Sequence, residues 1–438
     1  ILRCLVGSEM CIRDRGYVDE GKPVLLVDAG DHIQGTAYGS MDNGATIIEL
    51  MNEAGYDIAT LGNHEFDYGY QNLKDLEADA DFTIVDANVL YNGQVAFEDN
   101  VVFTAPDGTK IGVFGLDTPE TATKAHPAKI QGVTFLAGED LYDCAQDQVD
   151  ALEAEGCEYI ICLGHLGIDE ESVGNRSIDL LEEVEGIDVF IDGHSHSTLE
   201  DVKAAAGGTG KVGDTLVTST GTKLESVGVV TIDADGTITT ATTPVADLTA
   251  EDADVAARAA AIQKEIDDEY GTVFAKTEVA LNGEREPGNR TEETNLGDLI
   301  CDALVWGAER EGTEVDAAVT NGGGIRASIA AGDITKKDIN TVLPFGNTLS
   351  IVQVTGAELL EALEASTYCT PTSIGGFPQV SGIKFTVDTT KAYDQGEQYP
   401  GSTYYGPKSI QRVTIETVGG EPFDANATYT CLLYTSPS

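Results

Sequence analysis

Gly62-Asn63-His64-Glu65-Phe66-Asp67 follows directly on the apolar run Ile58-Ala59-Thr60-Leu61, and this stretch decides how the chain is read. A short strand that stops at a glycine and then presents an amide, an imidazole and two carboxylates is an unusual use of residues. The Asn63 carbonyl oxygen suits a hard or borderline cation. His64 suits ligation, acid catalysis or hydrogen-bond donation, and Asp67 is close enough in the chain to orient its ring.

The same layout recurs. Asp31 follows the strand-like run Val24–Asp28, His165 follows Tyr159–Leu163, and His194 and His196 follow Val189–Ile191. Strand ends on one edge of a layered α/β fold converge, and such folds place their ligands at that edge. Four of the six histidines occupy these positions within three residues of a glycine, where small neighbours let a ring approach an ion. A ligand set of Asp, Asn and His without Cys suits Mn, Fe, Zn or Mg and argues against a closed structural zinc site. His32 and His126 read as ordinary satisfied histidines.

Working outward, residues 22–248 alternate short apolar strands with helical stretches such as Gly44–Ala54 and Leu141–Glu155, the pattern of sheets covered on both faces. Gly213–Ile232 reads as hairpin material, with a turn at Asp235-Gly236. A capped, solvated helix starting at Thr249 and reaching Tyr270 reads as a connector spanning 249–272. A second domain then opens, with a strand near Val279–Leu281, a helix over Leu296–Glu309 and strands at Ala317–Thr320, Ile383–Val387 and Val413–Thr417.

The 438 residues carry 25 Lys and Arg against 75 Asp and Glu, a formal net charge of −50. So negative a surface repels nucleic-acid polymers and anionic membranes, and no apolar run reaches the length of a membrane helix. Two terminal segments, 1–15 and 431–438, resemble translated sequencing-adapter read-through and are set aside as non-native. They contain Cys4, Cys11 and Cys431; the other five cysteines lack metal-site spacing and read as buried free thiols.

The motifs GD at 30–31, GNHEFD at 62–67, GH at 164–165 and GHSH at 193–196 together resemble the calcineurin-type metallophosphoesterase domain, in its 5′-nucleotidase branch. The resemblance implies a layered αββα sandwich over 16–248, holding two divalent metal ions such as Zn or Mn. By it Asp31 bridges the metals, Asn63, His165 and His194 hold one, and His196 holds the other. His64, paired with Asp67, donates to the phosphoryl or leaving oxygen. The family's opening strand ends in Asp-x-His, and nothing before Gly30 supplies that pair, so one metal is expected to bind poorly and the truncated chain to be weak or inactive.

In residues 273–430 three stretches stand out: Arg290 running into a helix, Asn321-Gly322-Gly323-Gly324-Ile325-Arg326 after a strand, and Pro344-Phe345-Gly346-Asn347. Arginine suits bidentate phosphate binding, glycines admit a ligand close to backbone, and an exposed Phe stacks on a flat base. Together they resemble the C-terminal 5′-nucleotidase domain, an α+β nucleotide-specificity domain. The resemblance implies that Arg285, Arg290 and Arg326 meet the nucleotide, with Asn321 and Gly323 in the same loop. Phe345 would stack on the base with Asn347 beside it. The implied function is extracellular, periplasmic or cell-surface hydrolysis of 5′-nucleotides. Alternatives are a 2′,3′-cyclic-nucleotide phosphodiesterase with 3′-nucleotidase activity, a UDP-sugar hydrolase, or a nucleotide-binding surface protein with an inactive site.

Overall fold

The computed structural model describes residues 22–35, 37–248, 252–399 and 404–435, together with Tyr17 and Ser402. The N-terminal segment 1–15 and residues 436–438 lie outside the described residues. Two compact units are present, one comprising Ile1–Gln34 and Tyr38–Glu265, the other Gly35–Ala37 and Ile266–Ser438.

The first unit is layered helix, sheet, sheet, helix. Three short parallel strands, Val27–Asp28, Ile58–Ala59 and Thr83–Ile84, form the smaller sheet. The larger has six strands, in the order Lys211–Val212, Thr215–Thr218, Val189–Asp192, Tyr159–His165, Lys110–Asp117 and Asn100–Thr104. Its four inner strands run parallel and its two edge strands antiparallel. Strand alternation then sorts the apolar residues. Val113 and Leu163 point towards the small sheet, where they bury with Ile58 and Val85. Their neighbours Phe114 and Cys162 point the other way, onto Leu141, Val149 and Leu152 of the helix Glu139–Ala154. The helices Ala45–Ala54 and Tyr70–Asp79 cover the small sheet through Ile48, Met51, Leu73 and Leu76. Each such side chain contributes about 1.5–3 kcal/mol on burial. Gly164 is required in the large sheet, because a Cβ there would lie 2.1 Å from the Phe190 ring.

Three expectations change here. Thr215–Thr218 is a strand of the large sheet, parallel to Val189–Asp192 and antiparallel to Lys211–Val212, and does not pair with Val227–Ile232. The hairpin around Asp235-Gly236 joins Ser226–Ile232 to Ile238–Pro244. The expected connector helix is Ala253–Tyr270, capped by the Asp252 carboxylate through the backbone N–H groups of Asp254 and Val255. Nor is it solvated all round, since Val255, Ala259, Ile262 and Ile266 form a buried stripe at helical spacing. Thr249, the expected cap, lies outside the described residues.

The second unit is built on a four-stranded sheet, in the order Thr348–Thr355, Thr428–Thr435, Ala317–Asn321 and Pro378–Ser381. Residues 431–435, set aside as foreign, are thus part of a central strand. Cys431 and Leu432 are both 1% exposed and bury on opposite faces, because the short apolar run alternates as any strand does. The helix Asn295–Arg310 packs Cys301 and Ala308 on one face, and Gly356–Ser366 packs Leu359 and Leu363 on the other. The strand expected near Val279–Leu281 is instead Val273–Thr277, paired with Gly332–Thr335. Leu281 makes only an isolated bridge to Ile329, and Val279 is exposed.

Among the described residues no helix is long and apolar enough to cross a membrane. Cys144, Cys157, Cys162, Cys301, Cys369 and Cys431 are free thiols.

Candidate active site

The ends of four first-unit strands deliver the polar residues. After Val27–Asp28 the chain turns at Gly30 into Asp31, and after Ile58–Ala59 it turns at Gly62 into Asn63 and His64. After Tyr159–His165 the ring of His165 stands at the sheet edge; after Val189–Asp192 comes the turn bearing His194 and His196. Asp31, His194 and His196 all have left-handed backbones, with φ of 63°, 65° and 60°. Non-glycine residues adopt this conformation at a cost and cluster at functional sites. Close approach depends on two glycines. A Cβ on Gly62 would lie 2.5 Å from Asp31 Oδ1 and 2.8 Å from the His165 ring, and one on Gly193 would lie 2.7 Å from His165 Nδ1.

Asp31, His165 and His194 bring one ligand atom each within 4.8 Å of one another. The donor set fits a cation. His165 Nδ1 donates to the Ala29 carbonyl at 2.7 Å, which leaves the Nε2 lone pair facing Asp31 Oδ2 at 3.0 Å. A lone pair and a carboxylate tolerate that distance only with a proton or a metal ion between them. Burial alone would lower the ring's pKa, but Asp31 outweighs it and pushes His165 up to about 10. Asp31 itself, despite burial, is held well below the usual carboxylate range by His165 and His64. Asn63 Oδ1 is buried without a hydrogen-bond partner, as suits a ligand oxygen. His196 lies two residues beyond His194 and is half-buried, outside this close group of three.

His64 is placed differently. Its backbone N–H donates to Asp31 Oδ1 at 2.8 Å, and its Nδ1 pairs with Asp67 Oδ2, also at 2.8 Å. The single turn Asn63–Phe66 therefore carries both an unpartnered amide oxygen and a carboxylate-paired imidazole.

Three carboxylates that sequence reasoning did not single out hold the site together. Glu65, fully buried, accepts the backbone N–H groups of Gly62 and Asp31 at 2.7 Å each and of Ile33 at 3.2 Å. It staples the Asp31 turn to the Asn63 turn. Asp192 accepts from Leu166 and Gly167 and takes the Ser177 hydroxyl, tying the His165 loop to the His194 turn. Glu120 Oε2 lies 3.1 Å from His194 Nε2, and Lys124 Nζ lies 2.6 Å from the same oxygen. Burial would raise Glu120, yet Lys124 and His194 bring its pKa far below normal. Glu65 was visible inside the GNHEFD motif. Glu120 lies 74 residues from His194 in sequence, and no local pattern links them.

His32 is satisfied, as expected. Its Nδ1 is 3.0 Å from Asp28 Oδ1 and 3.8 Å from Glu65 Oε1. Burial pulls its pKa down, but Glu65 and Asp28 more than reverse this, raising it from 6.5 to about 9. The stability this proton adds is fully present below pH 6.5 and is lost as pH rises through about 9. Urea unfolding of the wild-type chain and of His32→Asn at several pH values checks this. The wild-type advantage should shrink across that window by at most about 3.4 kcal/mol, at ~1.36 kcal/mol per pH unit.

In the second unit the strand Ala317–Asn321 leads into the glycine run. Arg326 Nη1 donates to the Gly323 carbonyl at 3.2 Å, and its guanidinium lies 5.5 Å from the Phe345 ring centroid, a cation–π pair. Arg326, Phe345 and Gly323 are thus together. Asn321 Oδ1 and Asn347 Oδ1 are buried without hydrogen-bond partners. Arg290 follows the turn Arg285–Asn289, and its carbonyl accepts from Ile374 N–H at 3.1 Å.

The calcineurin-like phosphoesterase family matches residues 9–198, and the 5′-nucleotidase C-terminal domain matches residues 273–435. The chain is 34% identical over 404 residues to the trifunctional nucleotide phosphoesterase protein YfkN of Bacillus subtilis (strain 168), covering 83% of this chain and 26% of that protein. It is 31% identical over 425 residues to the 5′-nucleotidase of Homo sapiens, covering 89% of this chain and 71% of the human one. The crystal structure of a 5′-nucleotidase precursor from Thermus thermophilus superposes with a TM-score of 0.79 at 30% identity, over 98% of this chain and 83% of that one. The chain therefore spans about a quarter of the Bacillus relative and most of the human one. With both domain types matched in order and similarity to the human enzyme along most of its length, this chain belongs to the 5′-nucleotidase family.

Proposed function

We propose that the chain is a metal-dependent phosphoric ester hydrolase that removes phosphate from 5′-nucleotides, with catalysis in the first unit and nucleotide binding in the second. The observation that carries this reading is the convergence of Asp31, His165 and His194 within 4.8 Å beside a His64 already paired with Asp67. Asp31, Asn63, His165 and His194 would hold a divalent ion, with Asp31 shared towards a second ion at His196; Zn and Mn both suit the set. Bound divalent ions in such a site supply Lewis acidity and a hydroxide nucleophile at neutral pH.

The chain's own residues do the rest. Ala29 fixes His165 as the tautomer with its lone pair on Nε2. Glu120, by taking the Nε2–H of His194, leaves Nδ1 for ligation, the usual arrangement in which a second partner orients a metal-binding ring. Asp67 accepts from His64 Nδ1 and offsets the charge of the protonated ring, whose Nε2–H is then the proton offered to the phosphoryl or leaving oxygen. In the second unit Arg290 and Arg326, with Arg285, Asn321, Gly323 and Asn347, would meet the nucleotide, and Phe345 would stack on the base. The acidic surface, with a net charge of −50, supports an extracellular, periplasmic or cell-surface location.

The test is phosphate release from 5′-AMP, 2′,3′-cyclic AMP and a UDP-sugar with Mn²⁺ or Zn²⁺ supplied. Preference for 5′-AMP supports the proposal, and preference for either other substrate replaces it with that activity. No turnover of any of them by the chain carrying its native ends, with metal bound, leaves the nucleotide-binding surface protein as the reading. Within the proposal, Arg326→Ala is expected to raise KM for 5′-AMP about 10- to 100-fold, the effect of losing one charge-assisted contact of ~1.5–3 kcal/mol. Hydrolysis of a small aryl phosphate should stay nearly unchanged, and steady-state kinetics on the two substrates checks both.

A further inference from the structure

We infer that Gln379 is a positioning residue for nucleotide binding, setting the Arg290 segment against the Asn321–Arg326 loop without itself touching the ligand. The inference rests on the proposed nucleotide role of those two segments.

Gln379 is 1% exposed and sits on the strand Pro378–Ser381, paired opposite Thr320. Its side chain is spent on backbone. Nε2 donates to the Asn289 carbonyl at 3.0 Å and to the Glu292 carbonyl at 2.7 Å, and Oε1 accepts from Thr294 N–H at 3.2 Å. These three bonds span residues 289–294, a stretch belonging to no strand that ends at Thr294, whose hydroxyl caps the helix Asn295–Arg310. Asn289 and Thr294 are buried, and buried backbone groups need partners. One amide side chain supplies three of them, and Arg290 lies between the points it holds.

The residues leading into the same strand index the other segment. Gly322 N–H donates to the Phe377 carbonyl at 2.7 Å, and Gly323 N–H donates to the Gly375 carbonyl at 2.8 Å. The two segments also meet directly. A Cβ on Gly322 would lie 1.9 Å from the Asn289 carbonyl oxygen, so only glycine admits that approach. On the far side a Cβ on Gly297 would lie 2.1 Å from Gln379 Oε1. Residues 375–379 are therefore the common reference from which both candidate ligand segments take their position, and Gln379 is the part of it that reaches the Arg290 segment. Removing its amide leaves local strand pairing intact while releasing residues 289–294, so the predicted loss falls on nucleotide affinity.

Gln379→Ala, and independently Gly297→Ala, which drives a methyl into the amide's place while keeping every hydrogen-bonding group, test this in the full chain. Expected for both are a roughly 10-fold rise in KM for 5′-AMP with kcat held, unchanged turnover of a small aryl phosphate, and loss of amide-exchange protection over 289–294. A lowered melting temperature with KM for 5′-AMP unchanged in both variants would reduce Gln379 to a structural residue and overturn the inference. Arg290→Ala and Arg326→Ala separate the two levels. If they raise KM and the Gln379 and Gly297 variants do not, the inference alone fails; if they too leave it unchanged, the nucleotide reading fails with it.

Discussion

Replacing His64 with alanine is expected to lower turnover about 10²- to 10⁴-fold, the usual contribution of a positioned acid or base, while bound metal stays near the wild-type level. The separation follows from which atoms of residue 64 do what. The bond to Asp31 Oδ1 comes from the backbone N–H at 2.8 Å, and alanine keeps it. The bond to Asp67 comes from the ring, and alanine removes it. Asn63, Asp31 and His165 take their places from Gly62, Glu65 and Ala29, through bonds in which the imidazole has no part. Metal content by elemental analysis and kcat on the same preparation decide the matter. Loss of metal along with activity would make His64 a ligand and overturn its assignment as a proton donor.

Glu65→Leu is expected to have the largest effect on stability, about 3–5 kcal/mol, the range for breaking a buried charged pairing and leaving its partners unmatched. The substitution is close in volume, so the loss is electrostatic and not a cavity. Three backbone donors, on Gly62, Asp31 and Ile33, would be left facing apolar carbon, at about 1–3 kcal/mol each where they stay buried. Partial relaxation keeps the total below the sum. His32 would also lose one of the three carboxylates, Glu65, Asp28 and Asp31, that raise its pKa. Because the same three bonds hold the Asp31 turn against the Asn63 turn, metal affinity should fall together with the urea midpoint. Calorimetric titration with Mn²⁺ alongside equilibrium unfolding checks the pair of losses; an unchanged urea midpoint would show that water or rearranged backbone replaces the carboxylate.

These two predictions differ in how far they were legible. His64 and Asp67 stand three apart in one motif, and short-range spacing of that kind survives in sequence because a single turn converts it directly into contact. Asp31, His165 and His194 are far apart in sequence and were legible for a different reason. Each follows an apolar run, and strand ends from the two facing sheets bring the three together. The role of Glu65 was hidden although the residue was in view, since its partners Asp31 and Ile33 belong to a different strand end.

Strand-then-ligand order and the glycine run at 322–324 were enough to determine from sequence a two-part α/β chain of the 5′-nucleotidase family. Those properties depend on periodicity and on neighbours a few residues apart. Tertiary structure alone decided which strand the segment Thr215–Thr218 joins, that Cys431 and Leu432 sit in a central strand, and that Glu120 and Gln379 serve segments 74 and 85–90 residues away. The physical reason is shared. Burial and hydrogen bonding reward any apolar or polar group that reaches an unsatisfied partner, whatever its distance along the chain, and that distance leaves no period in the sequence to read.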